Sequence, residues 1–124
     1  MIPAVPTVIT VIQANDYAAD QLSVNNGVDV STLDGFAVAH LSVNAISGTT
    51  PTLDVKLQEC DTVGGSYTDV PSGAFTQVTT VDGDQQLIIE VGARKKFIAM
   101  LIDVGGTTPH YGIYGCIIGQ KKYD

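Results

Sequence analysis

The chain contains no tryptophan, two cysteines, and only six lysine or arginine residues in 124. Each shortage excludes something. Six basic residues against 13 acidic ones give a net charge of −7, which argues against a nucleic-acid partner. Charged residues make up 15% and hydrophobic residues 44%, with a mean hydropathy of +0.21. A disordered tail needs the reverse balance, and a coiled coil needs far more Glu, Lys and Leu. Two cysteines are too few for a disulfide-stapled scaffold, and neither Cys60 nor Cys116 sits in a CxxC pair. Two free, partly buried thiols are the plainer reading, with one bridge as the alternative. No uninterrupted apolar run approaches the length of a membrane span, so no membrane partner is expected. The start, Met1-Ile2-Pro3-Ala4-Val5-Pro6, lacks a basic stretch and carries two prolines, so no signal peptide is expected.

Chemistry is equally sparse. There is no Gly-x-Ser-x-Gly elbow and no phosphate-binding glycine loop. His40 and His110 have no second histidine near them. Asp16, Asp20, Asp29, Asp34, Asp82 and Asp84 fall in loops, and Asp82-Gly83-Asp84 lacks the rest of a calcium loop. No enzymatic activity, metal or cofactor is expected.

What is present is period two. Leu53, Val55 and Leu57 alternate with polar neighbours, and residues 8–12 form a β-branched run. Along 35–46, Ala37, Ala39, Leu41, Val43 and Ala45 share one face, while Phe36, Val38 and Ile46 lie on the other with His40, Ser42 and Asn44. Leu87, Ile89 and Val91 mark another strand. Residues 96–104 and 110–119 are apolar on nearly every position. Gly-, Asn- and Asp-bearing turn signals separate these runs at short intervals. The pattern predicts one all-β domain over 1–124: a two-sheet antiparallel sandwich of about eight strands, jelly-roll or immunoglobulin-like. Residues 15–34 read as a long connection or flap, with one helical turn or a loop over 14–22.

Three features suggest contacts. Ile46-Ser47-Gly48-Thr49-Thr50-Pro51 is echoed by Val104-Gly105-Gly106-Thr107-Thr108-Pro109. The echo reads as two equivalent hairpins of a pseudo-symmetric sandwich, or as one turn chemistry met twice. Arg94-Lys95-Lys96 holds half of the basic residues. It reads as a docking patch for an acidic surface or as a solvated hairpin tip. The strands over 97–102 and 111–118 are apolar on both faces, which calls for cover by another subunit or by the chain's own loops.

From Leu53 the chain reads Leu-Asp-Val-Lys-Leu-Gln-Glu-Cys-Asp, then Gly-Gly-Ser-Tyr-Thr-Asp-Val-Pro-Ser-Gly-Ala-Phe-Thr-Gln-Val. An Arg-Lys-Lys-Phe-Ile-Ala-Met strand, a Gly-Gly-Thr-Thr-Pro turn and a Gly-rich final strand follow. Over roughly residues 35–120 this order resembles the small β-sandwich auxiliary capsid proteins, decoration or cement proteins, of tailed bacteriophages. The resemblance implies a homo-oligomer, trimeric by preference, on the outer capsid surface of the virion, bound to the major capsid protein and bridging capsomers. Candidate subunit or capsid contacts are Phe97, Ile98, Met100, Ile102, Tyr111, Ile113, Tyr114, Arg94, Lys95 and Lys96. Ile2 and Val5 join them if residues 1–6 act as an extended arm. The alternative is a carbohydrate- or receptor-binding β-sandwich of a phage tail or fibre. It is weakened because Tyr111 and Tyr114 fall on opposite faces of a regular strand.

Overall fold

The computed structural model describes residues 6–22, 27–62 and 65–121. They fold as an antiparallel all-β structure with 76% of residues in strands. The strands are β1 (Pro6–Tyr17), β2 (Gln21–Leu22), β3 (Val28–Asp29), β4 (Leu33–Cys60), β5 (Thr68–Ala74), β6 (Gly83–Glu90) and β7 (Phe97–Lys121). A 3₁₀ turn, Val91–Ala93, precedes β7.

Two very long strands dominate. β4 has 28 residues and β7 has 25. They pair with each other from Leu33↔Lys121 to Cys60↔Phe97. Around one half of this ladder the order is β1-β7-β4-β6, and around the other β4 carries β5 while β2 and β3 line the far edge of β7. Segment 15–34 therefore contributes edge strands to the sheet as well as connecting loop, and β1 continues to Tyr17 without a helical turn.

The two Gly-Thr-Thr-Pro segments are not hairpins. They lie opposite each other in the middle of the ladder, with Ser47↔His110, Thr49↔Thr107 and Thr52↔Gly105 in register. The chain bends there without leaving the sheet. Gly48 (φ 111°) and Gly106 (φ 107°) supply the positive φ, followed by Thr50 (φ 45°) and Thr108 (φ 47°). The packing is reciprocal. A Cβ on Gly48 would lie 2.7 Å from the Thr108 carbonyl oxygen, and one on Gly106 would lie 2.7 Å from the Thr50 carbonyl oxygen. The echo is thus a local pseudo-twofold corner. A positive-φ glycine serves a bend as well as a turn, which is why sequence chemistry alone reads as a hairpin.

Both arms of β4 bury their odd-numbered positions in one core, against Ile98, Met100 and Ile102 in one arm of β7 and Tyr111, Ile113 and Ile117 in the other. Ala37, Ala39, Leu41 and Val43 lie in it with Leu53, Val55 and Leu57, all at most 3% exposed. Across that core a Cβ on Gly115 would come within 2.7 Å of Met100 Sδ, fifteen residues earlier on the same strand. The Tyr111 hydroxyl donates to the carbonyls of Val78 and Thr79, at 3.3 and 2.9 Å.

Candidate interaction face

The face of the β1-β7-β4-β6 half turned away from the core is built in rows, because residues paired across an antiparallel ladder share a face. Val8 pairs with Ile118, Ile118 with Val38, and Val38 with Ile88, giving one apolar row across four strands. Phe36 lies two residues before Val38 on the same face. Val8, Phe36 and Ile88 are 57%, 68% and 76% exposed and form three of the four exposed large hydrophobics among the described residues. Ile118 and Val38 are half-buried. No Lys, Arg, Asp or Glu interrupts the row.

The next row along the strands is Thr10, Cys116, His40 and Gln86. His40 Nδ1 lies 3.3 Å from Gln86 Nε2, and Nε2 lies 4.0 Å from an Asp84 carboxylate oxygen. The chemistry thus turns from apolar to polar within one residue pair. Cys116 is buried within this row, and Cys60 is buried at the far end of β4. Both thiols are free.

The sequence-derived contacts divide. Ile98, Met100, Ile102, Tyr111 and Ile113 are between 0 and 2% exposed in the chain's own core, so they offer a partner no surface. Their inward positions are those of the core, and beside them Ala99 is also fully buried while Phe97 and Leu101 are half-buried. The apolar runs are therefore covered largely within the chain. Tyr114 is half-buried on the outer face, opposite Tyr111, as the odd spacing requires.

The basic cluster is also largely engaged. Arg94 Nη1 lies 3.4 Å from Glu59, whose other oxygen accepts the Lys95 backbone N–H at 2.9 Å. Lys96 sits 4.0 Å from Asp29 and 5.5 Å above the centre of the Phe97 ring. The Lys95 side chain is left exposed. Ile2, Val5 and the rest of the proposed arm up to Val5 lie outside the described residues. The row Val8–Ile118–Val38–Ile88 was missed by the sequence reading. Its signal was present: Phe36, Val38 and Ile88 are apolar side chains on the polar sides of their strands.

No protein-family model matches the chain, and no curated protein sequence matches it. Among solved structures, the chain is similar to the capsid protein in the infectious bursal disease virus VP2 subviral particle. The identity is 13% and the TM-score 0.52, over 95% of this chain and 33% of that one. A protein of Bacillus endospore appendages, described as disulfide-linked pili, aligns at 16% identity and a TM-score of 0.47, over 98% of this chain and 92% of that one. This chain spans about a third of the length of the VP2 chain. The fold is an antiparallel β structure of the kind found in part of a viral capsid protein.

Proposed function

We propose that this chain is a structural protein of a virus particle, a cement protein that docks by its apolar row on the outer surface of a tailed-phage capsid. Its partner in this reading is the major capsid protein, and its role is mechanical, with no catalysis. The two arms of the bent ladder are read as the two layers of a jelly-roll-like sandwich. The observation that carries the proposal is the uncharged row Val8–Ile118–Val38–Ile88 with Phe36 beside it. Fully burying such side chains is worth about 1.5–3 kcal/mol each before the costs of association. The absence of basic residues in the row favours an apolar protein surface over nucleic acid. Repetition over a lattice multiplies a weak contact, and binding only the assembled shell stabilises it by mass action. Homo-oligomerisation, with a trimer favoured by the phage resemblance, belongs to the same reading.

The test is co-sedimentation of the purified chain with capsids assembled without it. Wild type is expected to pellet with the shells and to raise their disruption temperature. Val38→Asp combined with Ile88→Asp is expected to weaken binding more than tenfold with the chain's own thermal transition retained. Unchanged binding by that variant overturns the proposal.

A further inference from the structure

At the opposite end of the same outer face, the corner of the ladder opens into a cleft of about 520 Å³. Three strands line it. β1 brings Asn15 and Asp16, β4 brings Ser42 and Asn44, and β7 brings His110 and Tyr114. The cleft is built by irregularity in every strand. β1 shifts register between Ile12 and Asn15, and β4 and β7 shift between Asn44 and Ser47. Ala45 on its wall holds a φ of 50°, a left-handed backbone that costs a non-glycine residue free energy. Gly112 leaves room for Asn44, whose Oδ1 a Cβ at that position would overlap.

Its polar groups are held in place. His110 Nδ1 and Asp16 Oδ2 lie 2.9 Å apart, and Asn15 Oδ1 accepts the Asp16 backbone N–H at 2.8 Å. The Tyr114 hydroxyl stands 3.5 Å from Thr10 Oγ1, presenting a half-buried ring at the rim. No Lys or Arg lines the cleft, which disfavours anions. Its one carboxylate is already matched by a histidine, which disfavours a metal ion. What remains are acceptors and donors spaced around an aromatic edge, complementary to vicinal hydroxyls and to the C–H face of a ring.

We propose that this cleft binds a neutral saccharide, independently of the apolar row. Full-length protein is applied to an array of neutral mono- and oligosaccharides, and the strongest binder is titrated by protein-observed NMR. The expected result is saturable binding, at about the millimolar level for a single sugar ring, with shifts centred on residues 14–16, 42–47 and 110–114. Tyr114→Ala is expected to weaken it more than tenfold. Ser42→Leu, which fills the cleft without touching the Asp16–His110 pair, serves as a second variant should the first lose its fold. Val38→Asp with Ile88→Asp is expected to leave it unchanged. An array without signal, or binding that survives Ser42→Leu, overturns the proposal.

Discussion

Among the described residues, four non-glycine residues have positive φ: Ala45, Thr50, Ser72 and Thr108. At Thr50 and Thr108 the side chain is β-branched, so the left-handed backbone is strained twice over. Both are exposed, and their strain is held by the reciprocal corner. Replacing Thr108 by asparagine, which tolerates this backbone, should stabilise the fold by about 1 kcal/mol in a thermal or urea melt. Gly106→Ala should do the opposite and cost at least about 2 kcal/mol, because the new Cβ meets backbone oxygen. In the core, burial pushes the Tyr111 phenol above its ordinary pKa and keeps it a donor. Tyr111→Phe should cost about 1–2 kcal/mol. The stability linked to this phenol is complete below the ordinary value and is lost as pH rises through the folded-state value.

At the scale of elements, the acidic edge of the arm in which Leu53–Cys60 pairs with Phe97–Val104 has a readable pH dependence. Asp20 lies beside Asp103, and its Oδ1 accepts the Val104 backbone N–H at 2.7 Å, while Asp54 pairs across from Asp103 on β4. Repulsion from Asp20, first among the causes, holds the Asp103 carboxyl above its usual range. A carboxyl raised in the folded state penalises the fold while ionised and relieves it as pH falls through the raised value. Asp103→Asn should therefore raise the urea midpoint near neutral pH, and the gain should vanish below the carboxylate range. Asp69 runs the other way. Hydrogen bonds from Gln58 and then Lys56 hold it below the usual range, and its contribution is lost as pH falls through that lowered value.

The same elements show what was legible in the sequence. Strict alternation placed Leu53, Val55, Leu57 and the Ala37–Val43 face correctly, because period two is a local property. The corner was misread, because what separates a bend from a hairpin is the partner opposite, and Thr49↔Thr107 is a long-range pairing. The interaction face was hidden for the same reason. Val8, Val38, Ile88 and Ile118 look like scattered apolar residues until the register aligns them. The cleft needs three strands to exist at all.

For the molecule as a whole, the outer face of one arm carries two chemistries about six residues apart along β7, apolar at Ile118 and polar at Gly112. Glu59 is the one buried charged side chain among the described residues, and it joins β4 to the segment before β7 through Arg94 and Lys95. Glu59→Ala should cost about 3 kcal/mol in a urea melt by stranding the half-buried guanidinium. The long β4–β7 ladder also dictates an order of events. Its end at Cys60↔Phe97 closes the shortest loop in sequence and its end at Leu33↔Lys121 the longest, so pairing is cheapest to nucleate at the former and zips toward the latter. Side-chain truncations at Leu57 or Ile102 should then slow folding, while those at Leu41 or Ile117 should mainly speed unfolding. A chain dominated by such distant pairings should fold in about milliseconds to seconds rather than microseconds.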